Sequence, residues 1–425
     1  MQEDFLHYVW QHKKMTLKSL QTTNQERITL KAVGLPNSNS GPDFFNALLS
    51  IGSQLWAGNV ELHVKSSDWY VHHHEIDTAY DNVILHVVWE HNMEVFRNDN
   101  TPIPTLELKH CILPHTLRNY QSLINKKKQW IPCEDRISTV DAFTVNHWME
   151  RLYLERLEEK CLEVEAQLLD SKNNWEAVLF WQLAKSFGLK VNGDAFLSIS
   201  KSIDFSVIQK VRSEPRNLEA LLFGQSGLLN TAAEHLYISE LKTIYAFLKN
   251  KFSLSTTGII PVRFFRLRPP NFPTIRLAQL ADVYSRQSSL FSKIIQARSI
   301  EQLQSIFEGA TSTFWITHYT FDKTSKSTPK KLTKPFINLL IVNTIIPIKF
   351  AFNKFNRDSN QDDLLEIMQK TTMEHNSIVD KFHSLYPFRK TALESQALIQ
   401  LKSNYCSKNK CLHCAIGSAL LNRNS

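Results

Sequence analysis

Apolar residues follow two different periods along the chain, and the change falls near residue 139. Before it, short runs alternate or are continuously apolar, as strands do. Val60-Glu-Leu-His-Val-Lys65 alternates strictly, which puts Glu61, His63 and Lys65 on one face and Val60, Leu62 and Val64 on the other. Taken alone, that pattern describes a strand with one solvated face. Residues 46–51 are mostly apolar, and residues 82–90 are nearly all apolar, a strand expected to be buried on both faces. Residues 28–33 and 104–109 add further strands; Gly52 and Gly58 bracket a hairpin, and the turn-rich loop 34–41 leads to Pro42-Asp43. Phe5, Leu6, Val9 and Trp10 form a helical stripe over residues 3–12, and residues 74–80 read as a short helix. A further helix over 113–128 ends in the basic run Lys126-Lys127-Lys128.

From Thr139 onward the period becomes that of the helix and stays so. Helices are expected over 148–161, 175–187 (stopped by Gly188), 192–200, 205–211, 217–223 and 232–252. The longest apolar run, 336–352, is shorter than a bilayer requires and contains Asn338, Asn343, Pro347 and Lys349, so it reads as a buried helix. The expected class is α+β: a mixed sheet flanked by helices over residues 1–128, a connector over 129–138, a helical domain over 139–330, and a helical region over 331–425 closed by a cysteine cluster.

A chain of 425 residues suits two or three such domains. The formal charge of +8 permits an acidic partner such as nucleic acid without demanding one. Met1-Gln-Glu-Asp opens acidic with no apolar stretch behind it, so the expectation is a soluble, cytoplasmic protein with no membrane partner. No GxxxxGK(S/T) or GxGxxG occurs, which argues against the usual nucleotide-binding loops.

The chemistry concentrates between Gly41 and His91. Pro42-Asp43 opens one strand, and Glu61 sits on the next. Two carboxylates converging from adjacent strands hold a hard cation such as Mg²⁺ or Mn²⁺, which polarises a phosphate and acidifies a bound water. A basic group then offsets charge developing on the phosphate. The layout resembles the PD-(D/E)XK nuclease core, in a helix–strand–strand–strand–helix–strand order. That resemblance implies Asp43 and Glu61 as metal ligands. Its lysine position holds His63, with Lys65 two residues on, so the basic role falls to either. Glu3 or Glu26 could add an acid, and His74 could contact phosphate or the attacking water. A histidine-built zinc or manganese site from His72, His74 and Asp77, with His86, is an alternative.

Two other stretches are informative. Arg263, Arg266, Arg268 and Arg276 alternate with aromatics and prolines, either as a phosphate-binding surface or as a structural loop. Cys406, Cys411 and Cys414 have the C-x₄-C-x₂-C spacing of a metal site, and Cys133 in Ile-Pro-Cys is the expected fourth ligand. Thiolates of this kind bind zinc or an iron–sulfur cluster.

The segments GPDFFNALLSIG, GNVELHVKSSDWYVHHH, WIPCED, RPPNFPTIRLAQLA and NYCSKNKCLHCAIG resemble the bacterial domain-of-unknown-function family 2851. That resemblance implies no substrate. Some nucleases with the PD-(D/E)XK core staple distant segments with a four-cysteine 4Fe–4S cluster, and the cysteine arrangement here is similar. Two functions are carried forward: a metal-dependent nuclease acting on DNA or RNA, and a non-catalytic nucleic-acid- or protein-binding module on the same core.

Overall fold

The computed structural model describes residues 1–37, 39–124, 129–357 and 362–423. The basic run Lys126-Lys127-Lys128 lies outside the described residues. The chain divides into two compact units, Met1–Trp148 with Leu401–Ser425, and Met149–Gln400.

The first unit is built on one six-stranded mixed sheet. Helix α1 (Glu3–Gln11) precedes it, with Phe5, Leu6, Tyr8, Val9 and Trp10 buried and Glu3 and Asp4 at the positive end of its dipole. The strands are β1 (Ile28–Ala32), β2 (Leu35–Pro36), β3 (Phe44–Ile51), β4 (Gln54–Lys65), β5 (Val83–Glu90) and β6 (Thr105–Glu107). They lie in the order β1-β3-β4-β5-β6, with β2 pairing β3. The pairings β1–β3 and β3–β4 are antiparallel, whereas β4–β5 and β5–β6 are parallel. Helix α2 (Asp68–Val71) lies in the crossover from β4 to β5, followed by 3₁₀ turns at His74–Ile76 and Thr78–Tyr80. Those turns stand where a single short helix was expected. Helix α3 (Pro114–Ile124) follows the sheet, and α4 (Ala142–Asp170) leads out of the unit.

β5 is buried on both faces from Val83 to Val88, as its unbroken apolar run requires. β4 is also buried on both faces from Gly58 to His63, so the Glu61 face is not the solvated one that alternation suggested. Periodicity assigns residues to faces but cannot tell which face another element will cover. α1 and α2 both pack on β4. The hairpin turn is Gly52-Ser53, where Gly52 has φ +59°. Gly58 lies inside β4 instead of closing the hairpin. A Cβ there would come within 2.5 Å of Ile84 Cγ2 and 2.7 Å of Asn82 O, so only glycine lets β4 and the start of β5 approach this closely.

The second unit is mostly helical. Its longest apolar stretch, Lys334–Phe355, would suffice by length and composition to cross a membrane, but 78% of that apolar window is buried within the protein. A π turn at Ile341–Ile345 precedes Pro347, whose missing N–H interrupts the α register. Lys349, the charge within this run, sends its ammonium to the carbonyls of Ile294, Ile295 and Ala297 at 3.0, 2.7 and 2.8 Å. It thereby caps the helix Leu290–Gln296 from inside the core.

The close approach at Gly58 gives a direct test. Gly58→Ala should destabilise the protein by about 1–3 kcal/mol, the usual cost of overpacking a tight contact. Denaturant unfolding would show this as a lower midpoint with an unchanged slope.

Candidate active site

Phe44 at the start of β3 stands opposite Val60 on β4, which brings Asp43 opposite Glu61. A bulge follows at once. Asn46 takes φ +58°, and its N–H reaches Asn59 Oδ1 at 3.3 Å. Such bulges re-aim the adjacent chain. The two acids are then fixed reciprocally. The Asp43 N–H donates to Glu61 Oε2 at 3.0 Å, and the Leu62 N–H donates to Asp43 Oδ2 at 2.9 Å. From α1, His7 Nε2 lies 3.2 Å from Asp43 Oδ2.

Glu61 is 5% exposed. Burial, then the charge of Asp43, pushes its carboxyl up to about 9 against the opposing bond from the Asp43 N–H. Glu3 is raised in the same way, by burial and then by Asp43. Burial alone would lower His7, but its bond to Asp43 and the charges of Asp43, Glu3 and Asp4 outweigh that and raise it. The site therefore sets two carboxyls pushed toward their neutral forms, Glu61 and Glu3, beside one imidazole held toward its protonated form.

Four further histidines gather beside Glu61. His63 Nε2 lies 3.6 Å and His74 Nε2 3.3 Å from Glu61 Oε1. His63 Nε2 is 3.1 Å from His72 Nδ1, and His63 Nδ1 is 2.9 Å from His86 Nε2. His73 provides the local geometry. It takes the left-handed conformation (φ +60°) between α2 and the following turn, so His72 and His74 both reach the cluster while its own ring stays in solvent. His74 stacks on Tyr80 at 3.7 Å between centroids, which fixes its plane. His63 is pushed down to about 3 by burial and then by its imidazole neighbours; burial also lowers His74 and His86. These rings are neutral, the form that binds metals.

The residues expected from the sequence separate here. Asp43, Glu61, His63 and His74 come together. Lys65 does not: it is exposed at the end of β4, and no ion pair joins it to Asp43 or Glu61 among the described residues. Asp77 caps the turn Thr78–Tyr80 through the Ala79 N–H instead of joining the histidines. Glu26 is exposed in the loop before β1. His7 was not anticipated. Its one available signal was Glu3 one turn earlier, which puts an acid and an imidazole on one side of α1.

Cys133, Cys406, Cys411 and Cys414 line one small, mostly apolar cavity with Pro132, Leu401, Tyr405 and Ile416. Burial, then neighbouring cysteines, pushes the Cys133 and Cys411 thiols up to about 12 and raises Cys406 as well. Cys414 is raised by burial but held back by hydrogen bonds from the backbone of Gly417 and Ile416 and from Trp148. Gly417 is required at this point, because a Cβ there would fall 2.1 Å from the Cys411 carbonyl oxygen.

In the second unit, Arg263, Arg266 and Arg268 are exposed on a loop, and both polar atoms of the Asn192 side chain clamp the Arg263 backbone. Arg276 is withdrawn from that surface. It is 7% exposed, lies 3.5 Å from the Phe336 ring centroid and bonds Gln279 and Asn271. Burial brings it down to about 10.

The raised Glu61 carboxyl makes the metal-free protein sensitive to pH. Below about 4.5 it is protonated folded or unfolded; between there and about 9 only the folded form retains the proton, so stability is lost as pH rises through this window. Glu61→Gln should therefore raise the Tm of chelator-treated protein at pH 8, by about 2–4 °C for each kcal/mol relieved, and the advantage should shrink toward pH 5. Calorimetry at the two pH values measures it.

A family model described as "Protein of unknown function (DUF2851)" matches residues 3–377, a span that includes the whole acid–histidine cluster and ends before Cys406. No curated protein and no solved structure matches the chain. The family match extends over most of the sequence, and the chain belongs to the DUF2851 family.

Proposed function

We propose that this protein is a metal-dependent phosphodiesterase acting on nucleic acid, with its chemistry at Asp43 and Glu61. The observation that carries this reading is the reciprocal pairing of two acids from adjacent strands, with the Glu61 carboxyl raised by burial and by Asp43 beside it. The element order α1, β1, β3, β4, α2, β5 supports it, being that of the nuclease core named above. A divalent ion held at Glu61 and Asp43 would supply polarisation of the phosphate and a more acidic water. The chain's own contribution is placement and compensation. The Leu62 and Asp43 amides fix the two carboxylates. His7, held toward its protonated form by Asp43, takes the place of the motif's lysine and offsets charge developing on the phosphate. Lys65 does not serve that role from the end of β4. The exposed Arg263, Arg266 and Arg268, with the net charge of +8, suit an acidic polymer as substrate.

The exposed position of Lys65 favours one second reading, a binding module that has lost catalysis. The deciding experiment incubates the purified protein with single- and double-stranded DNA and RNA in Mg²⁺ or Mn²⁺, beside Asp43→Asn, Glu61→Gln and His7→Ala. The expected result is metal-dependent cleavage reduced about 100-fold or more in the acid variants, the scale on which one preorganised charged group contributes. Intact protein that binds nucleic acid in a salt-sensitive way without cleaving it in any metal establishes the binding module instead.

We further propose that the four cysteines hold a thiolate metal centre, zinc or a 4Fe–4S cluster. Four thiols facing one apolar cavity, each raised by burial and three of them by one another, suit a cationic centre better than four packed thiols. Metal and acid-labile sulfide analysis of anaerobically purified protein separates the two identities. Cys133→Ser should lose the metal and lower the Tm. A protein equally stable and metal-free before and after the substitution excludes the centre.

A further inference from the structure

We propose that His63, His72, His74 and Glu61 form a binding site for one imidazole-seeking divalent transition-metal ion, of the class that includes Zn²⁺ and Co²⁺. The inference deepens the functional reading and rests on it only in sharing Glu61.

The argument is geometric. Among the described residues, His63, His72 and His74 are a group whose ligand nitrogens all lie within 4.8 Å of one another. Their separations from each other and from Glu61 Oε1 include 3.1, 3.3 and 3.6 Å. A tetrahedral ion with bonds of about 2.0–2.1 Å holds its ligands about 3.3 Å apart. The three nitrogens thus lie close enough to share one ion, and Glu61 Oε1 stands beside two of them, those of His63 and His74. A magnesium ion would instead seek oxygen ligands and keep several waters.

The second layer fits as well. With the Nδ1 proton of His63 donated to His86 Nε2, His63 Nε2 keeps its lone pair for an ion. His86 is fully buried behind it, opposite Glu61 and Thr105 in the sheet. The competing explanation is a chain of hydrogen bonds through the imidazoles. Such a chain accounts for His72 and His63 but leaves His74 Nε2, on a residue 9% exposed, without a hydrogen-bond partner 3.3 Å from Glu61 Oε1. One cation satisfies His74 and Glu61 together. His72 is exposed, so the ion would be reached from that side, where water or a phosphate oxygen could complete its coordination.

This arrangement differs from the histidine set the sequence suggested. Asp77 and His86 leave the ligand set, Glu61 and His63 enter it, and His86 becomes the group that orients His63.

The test titrates chelator-treated full-length protein with Co²⁺ and with Mg²⁺, following bound metal and the visible absorption of cobalt. The His72→Ala variant is compared, its folding checked by circular dichroism, because His72 is exposed and its loss should leave the fold intact. A Cys406→Ser/Cys411→Ser background separates cobalt held by thiolates. The expected result is one Co²⁺ per chain that survives in the cysteine background, is not displaced by excess Mg²⁺, and is weakened about 100-fold or more by His72→Ala. Equal cobalt stoichiometry and affinity in His72→Ala and its parent overturns the inference, as does ready displacement by Mg²⁺. Cleavage in Mg²⁺ alongside either of those results removes this site and leaves the nuclease reading standing. A histidine-dependent ion in a protein that cleaves nothing does the reverse.

Discussion

Two backbone amides carry the organisation of the first unit. The Asp43 N–H holds Glu61 and the Leu62 N–H holds Asp43, so each acid is positioned by the strand of the other. The register of β3 against β4 therefore sets the distance between two carboxylates, and a slip of one residue in either strand would turn its acid to the opposite face and part the pair. The bulge at Asn46 confines that requirement to the end of β3, because beyond it the pairing resumes in a new register. Burying two acids this way is costly unless charge is compensated, and the protein supplies only part of that compensation. His7 answers Asp43, while the histidines near Glu61 are neutral and cannot answer it.

The acid pair was legible in the sequence because it depends on local pattern. Alternation from Val60 to Lys65 put Glu61 and His63 on one face, and Pro42-Asp43 stood at a strand start. Whether that face met solvent or protein was not legible, since it depends on where α1 and α2 land. The same limit explains Lys65 and His7. Lys65 shares the face by period, but β4 ends there, beyond the covered stretch. His7 is remote in sequence and enters only through the packing of α1 on β4. For the arginines, the shared aromatic surroundings hid a boundary. Arg263, Arg266 and Arg268 belong to a loop, whereas Arg276 begins a turn deeper in the helix Pro273–Arg286 and is carried into its core.

The histidines show how one strained residue can organise a site. His72, His73 and His74 are consecutive at the end of one helix and the start of a 3₁₀ turn, and a regular helix would not direct the first and third inward while excluding the second in this way. His73 in the left-handed region accomplishes it, at a conformational cost of about 1 kcal/mol or more. The stacked Tyr80 and edge-on Trp69 then hold His74 in place. Strain next to a set of converging rings marks a place where geometry has been favoured over local stability.

The cysteine segment poses the problem of loop closure. Cys133 and Cys406 are separated by the whole of the second unit, yet Leu401–Ser425 belongs to the first. Bringing such distant residues together carries an entropic cost that grows only with the logarithm of the loop length, so contacts of modest strength can hold it. Several are present. Tyr8 reaches Asn422, Asn119 bonds the carbonyls of Leu421 and Arg423, and Lys402 bonds the Trp130 carbonyl. The tail is thereby seated against α1 and α3 by its own polar contacts, and the four thiols come to one cavity as a consequence. A metal held by those thiols would add to these contacts, so its loss would weaken the attachment of the tail more than it would alter the sheet that positions Asp43 and Glu61.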